Sequence, residues 1–95
     1  HIIESTMDKE ELMEELTANE CLVADGFDNA LIGITEGSNP VAVYDTDKCI
    51  DILMKESIYP LYMNHEDAVE YFYFNVVGAY VGEKTPLFIR MITEE

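Results

Sequence analysis

The chain has 95 residues, 48% of them apolar, with six tyrosines and four phenylalanines, enough for one hydrophobic core at a length where a second becomes usual only beyond about 100 residues. Twenty acidic against five basic residues leave a net charge of −15. The bases, Lys9, Lys48, Lys55, Lys84 and Arg90, are scattered, so the cationic footprint that a phosphate backbone or an anionic membrane surface requires is missing, and direct nucleic-acid or membrane partners are not expected.

Ahead of Met7, residues 1–6 are read as a tail and given no functional weight; the rest is expected to form a single soluble domain within 1–95. Ser5 and Thr6 are candidate caps for MDKEELMEELT, with Asp8 in a capping-box relation to Ser5, and Leu12, Met13 and Leu16 make an apolar stripe, which predicts a helix over about 7–17. Cys21 to Ala24 reads as a short strand before the Asp25-Gly26 turn. ALIGIT, then Gly37-Ser38-Asn39-Pro40, then Val41 to Tyr44 predict a β-hairpin over about 30–44, with Gly33 marking a bulge or a close helix contact. Asp45-Thr46-Asp47 predicts the start of a second helix over about 47–56, with Cys49, Ile50, Leu53 and Met54 inward. SIYPLYM, 57–63, carries Pro60 and is expected to pack down as a connection. Asn64 caps a third helix over about 65–80, ended by Gly82, in which Tyr71, Phe72, Tyr73 and Phe74 are consecutive and so point nearly all round the axis. LFIRMI, about 87–92, reads as a final strand joining the hairpin. The expected fold is α+β, a small, mainly antiparallel sheet with three helices packed on it.

No motif with a mechanism stands out. Asp45-x-Asp47 with Glu56, and Asp25 with Asn29 and Glu36, imitate calcium loops, but the sixth position is Ile50 or Ala30 where glycine is needed. Cys21 and Cys49 read as buried free thiols, and neither lies in a C-x-x-C, so no metal or other cofactor is expected. His65 reads as a surface residue, and the glycines form no phosphate cradle. The turn Asp25-Gly26-Phe27-Asp28-Asn29 brings carboxylates and an amide together, and turn chemistry accounts for those residue types. Asn75, the one polar residue between Tyr71 and Val77, is expected to be partly buried and hydrogen-bonded.

AVYDTDKCIDILM followed by EDAVEYFYFNVVGAYVGEKTPLFI, within Gly26 to Ile92, resembles a family of small uncharacterised proteins of phages and their hosts. The resemblance implies a free-standing domain and supplies no catalytic residue. The leading expectation is a cytoplasmic interaction or accessory protein, not an enzyme, working as a homodimer or on another protein. Its candidate binding residues are Asp25, Asp28, Asn29, Asp45 and Asn75, and its candidate interface is Tyr71, Phe72, Tyr73 and Phe74. Two alternatives stand beside it. One is an acidic mimic of nucleic acid that occupies a basic host protein; the other is a metal-assisted or acid/base hydrolase that brings Asp25, Asp28 and Asp45 together.

Overall fold

The computed structural model describes residues 7–56 and 63–92, and within them the chain runs α1 Lys9–Ala18, β1 Leu31–Ile34, β2 Ala42–Asp45, α2 Thr46–Glu56, α3 His65–Tyr71 and β3 Leu87–Ile89. A 3-10 turn at Asp28–Ala30 precedes β1, and α3 continues as a π-helical segment, Phe72–Val77. This is the expected α+β class.

α1 is capped by Asp8, whose Oδ1 accepts from the Glu11 amide at 2.8 Å while Glu11 Oε1 accepts from the Asp8 amide at 3.1 Å. The D-x-x-E spacing thus puts the cap at Asp8, three residues after Ser5 and two after Thr6, both of which lie outside the described residues. Leu12 and Leu16 are buried, each contributing about 1.5–3 kcal/mol of apolar burial. At the C-terminus, the Cys21 amide donates to the Leu16 carbonyl and the Glu20 amide to the Thr17 carbonyl, a Schellman arrangement that places Glu20 at φ 57. The chain leaves this turn as irregular backbone, so the strand expected at 21–24 does not form. Its Leu22 amide donates to the Lys84 carbonyl at 3.4 Å, a single bond that does not extend into a ladder.

The sheet order is β1-β2-β3. β1 and β2 form the antiparallel hairpin, with a register shift between Leu31 and Gly33. A Cβ on Gly33 would meet nothing within 4 Å, so the glycine accompanies the bulge and not a close helix contact. β3 joins β2 in parallel, because the chain leaves β2 directly into α2 and returns only after the helical crossover that parallel pairing needs. The strand ends at Ile89, short of the expected residue 92. The register puts Leu31, Tyr44 and Phe88 on one face. There Tyr44 stacks on Phe88 with ring centroids 5.4 Å apart, and Phe72 meets Phe88 edge-on at 5.3 Å and Phe27 at 6.4 Å. Leu12, Leu16, Cys49 and Ala68 join the same core. The opposite face carries Gly33, Val43 and Leu87, with Leu87 exposed.

α2 starts where β2 ends. Asp45 is buried, and its Oδ1 accepts from the amides of Asp47 at 2.9 Å and Lys48 at 3.3 Å. The connection expected to pack over 57–63 lies outside the described residues apart from Met63, which lies against the core. Among the described residues no helix is long and apolar enough to cross a membrane.

Candidate functional site

α3 begins as its sequence predicts, with Asn64 Oδ1 accepting from the Asp67 amide at 2.8 Å. It ends differently. The helix expected to run to residue 80 is α-helical only to Tyr71, and the π-helical turn closes at Gly78. A Cβ at Gly78 would lie 3.1 Å from the Phe74 carbonyl oxygen, so the wide turn ends at the residue that tolerates this approach. Asn75 contributes to the widening: its Nδ2 donates to the Tyr71 carbonyl at 3.3 Å, competing for the oxygen that an α-helix pairs with the backbone N–H of residue 75.

Ala68, Phe72 and Val76, spaced four apart, form the inward stripe of this helix. Phe72 is fully buried, so among the four consecutive aromatics it belongs to the chain's own core and not to an interface. Asn75 falls one position off the stripe and is exposed, correcting the expectation of burial. Tyr71 and Tyr73 are exposed, and Phe74 is 83% exposed.

The two flanks of the helix face different surroundings. On one, Val69, Glu70, Tyr73, Phe74 and Gly78 border a shallow depression. On the other, Tyr71, Asn75 and Val76 form a wall of a groove of about 930 Å³. Leu53 and Phe88 lie beneath it, and Leu22, Val23 and Val81 stand at its edges. Asp25 is the one charged side chain in the lining among the described residues.

Two turns fix that groove. The Phe27 amide donates to the Ala24 carbonyl at 3.2 Å and Gly26 sits at φ 88, a turn with positive φ at its third position, with Asp25 at its second. It is pinned to the core by the Ala24 amide, which donates to Tyr44 Oη at 2.8 Å. Burial raises the Tyr44 hydroxyl above its ordinary pKa, with added repulsion from Asp28, Cys49 and Asp25. Across the groove, Gly82 at φ 118 and Thr85 close a second turn: Thr85 Oγ1 donates to the Gly82 carbonyl at 2.7 Å and accepts from the Val81 amide at 2.9 Å.

The acids weighed for a hydrolase do not share this site. Asp28 opens the 3-10 turn, where its carbonyl accepts from Lys9 Nζ at 2.6 Å, and Asp45 is occupied in capping α2. Asn29 is an exposed residue of that 3-10 turn. Neither Asp28, Asn29 nor Asp45 lines the groove, and among the described residues no three His, Cys, Asp or Glu side chains could hold one metal ion. Both cysteines are free: Cys49 is fully buried, and the partly buried Cys21 donates from Sγ to the Pro40 carbonyl at 3.1 Å. Leu22, Val23, Val81 and Thr85 are among the groove residues that sequence reasoning missed. Leu22-Val23 beside a turn was the available signal, an apolar pair that follows no helix or strand period.

Comparison with known proteins found no matching family model, no matching curated protein and no matching solved structure. The reading of the site therefore rests on its own residues.

Proposed function

We propose that the chain is a small acidic interaction domain that acts by binding protein, and that the outer flank of α3 and its π-helical turn is the surface on which a second copy pairs. The observation that carries this reading is the exposure of Phe74 beside Tyr73, on the flank of the same helix whose other side holds Phe72 in the core. A phenylalanine left this exposed forgoes about 1.5–3 kcal/mol of burial unless something covers it. Closed two-fold pairing is the commonest form of self-association, and it would set each Phe74 against the partner's copy of the same surface. Work in the cytoplasm accords with the two free thiols, which a reducing compartment preserves. A free-standing accessory role accords with the resemblance to small phage and host proteins.

Light scattering at micromolar concentration tests the pairing. The expected result is a dimer mass for the native chain and a monomer mass for Phe74→Glu, with unchanged far-ultraviolet circular dichroism. A native chain of monomer mass would rule out the paired form.

A further inference from the structure

We propose that the groove between α3, the Leu22–Asp25 segment and Val81 is a docking site for a short peptide segment of another protein, one whose apolar residues lie beside a lysine or arginine. This goes beyond the pairing of two copies, because it uses the other flank of the helix.

The chemistry of the lining selects the occupant. Its volume of about 930 Å³ stands near the top of the roughly 300–1,000 Å³ typical of ligand clefts, room for several side chains. The apolar walls offer burial to aliphatic or aromatic side chains, and the one charged group of the lining is an acceptor. Asp25 brings a carboxylate. Asn75 has one of its two amide N–H groups engaged with the Tyr71 carbonyl and keeps Oδ1 to accept. Thr85 Oγ1 both donates and accepts within its own turn. No lysine, arginine or histidine lines the groove among the described residues. A bound group that donates can pair with Asp25 and with Asn75 Oδ1, and a cation is favoured over a neutral donor by the Asp25 charge.

The charge of the whole chain narrows the choice further. At −15, the protein's field draws cationic segments and repels anionic ones. It also disfavours a second copy as the occupant of this groove, since that copy would bring a surface of the same sign to Asp25. Leu22 and Val23, both exposed, leave one edge of the groove open to solvent along an irregular backbone segment, where a chain can enter.

The probe is a fluorescein-labelled synthetic peptide of about twelve residues made of leucine, phenylalanine and lysine in an amphipathic pattern. It is compared with one peptide in which glutamate replaces lysine and another in which serine replaces the apolar residues. Saturable binding of the Leu/Phe/Lys peptide is expected, with both comparison peptides at least about tenfold weaker. Asp25→Asn should weaken binding about twofold to fivefold, the range of an exposed ion pair. Val81→Ser should weaken it about threefold to tenfold by removing apolar contact. Both side chains are exposed, so both variants should melt like the native chain, and amide shifts on titration should fall on residues 22–27 and 71–81. Phe74→Glu should leave the affinity unchanged, which separates this site from the pairing surface.

Equal binding of the Ser/Lys peptide would reduce the effect to diffuse charge and overturn the proposal. Equal binding of the Leu/Phe/Glu peptide, or shifts centred on Tyr73 and Phe74, would do the same. Saturation by octylammonium without any peptide binding would make the groove a small-molecule site instead.

Discussion

Glu20 holds the left-handed position that closes α1, at φ 57, where glycine or asparagine is the usual choice. A side chain in that region is disfavoured by roughly 1 kcal/mol or more. Glycine removes that penalty and gives part of the gain back as unfolded-state entropy. Glu20→Gly is therefore expected to stabilise the fold by about 0.5–1 kcal/mol and to raise Tm by about 2–8 °C, read in a thermal melt. Cys49 supplies a pH signature. Burial, with a smaller contribution from the Asp45 charge, pushes its thiol up from 9.0 to about 12. The folded state thus keeps a proton that the unfolded chain releases above its own pKa, so this stabilisation is complete below pH 9 and is lost as pH rises from 9 toward 12. The raised Tyr44 hydroxyl acts in the same direction at higher pH. Urea melts should show a falling midpoint between pH 8.5 and pH 10.5, and in the native state at pH 8 a thiol reagent should label Cys21 well before Cys49.

Among the elements, the junction of β2 and α2 has the least slack, since Thr46 begins the helix immediately after Asp45 ends the strand. One buried carboxylate accepts from two amides of the first turn there. Asp45→Ala is expected to lower stability by about 1–2 kcal/mol, with a Tm lower by about 4–15 °C. Asp45→Asn, which keeps an accepting oxygen, should recover most of that loss in the same melt. If both variants melt alike, the cap is not what holds the junction. At α3 the sequence announces the start, through Asn64, more clearly than the end. Gly82 looked like the stop because helical periodicity continued to Tyr80, but the side-chain bond from Asn75 and the close approach of the Phe74 carbonyl at Gly78 bring the helix to its close earlier.

Across the whole molecule the dominant quantity is a charge of −15. The acids of α1 and of the first turn of α3 are exposed, so mutual repulsion is softened by counterions over a Debye length of about 10 Å at 0.1 M salt. Raising sodium chloride from about 20 mM to about 500 mM should raise Tm by a few degrees. Pairing of two like-charged copies should strengthen over the same range, visible as a higher dimer fraction in light scattering. A Tm that falls with salt would mean that attractive ion pairs outweigh the repulsion. Among the described residues the one salt bridge is Lys55 with Asp51 at 3.0 Å, and it is exposed, too weak to reverse the sign.

Local chemistry carried much of this architecture in the sequence itself. The cap at Asn64, the stripe of Leu12 and Leu16, the hairpin around residues 35–41 and the Asp45 start of α2 depend on residues a few positions apart, whose preferences act before distant parts of the chain meet. Packing decided the rest. Four consecutive aromatics are equivalent to a local pattern, and only the arrival of Phe27 and Phe88 makes Phe72 the buried one and leaves Tyr71, Tyr73 and Phe74 outside. Likewise Asp25, Asp28 and Asp45 read as one acidic set until the turn at Gly26, the 3-10 turn and the α2 cap send them to three separate tasks. The parallel seating of β3 and the groove beside it arise from contacts between segments some 40 to 60 residues apart, as between Val43 and Leu87 or Leu22 and Lys84; no periodicity encodes such pairings, because their free energy is realised only when the chain has closed on itself.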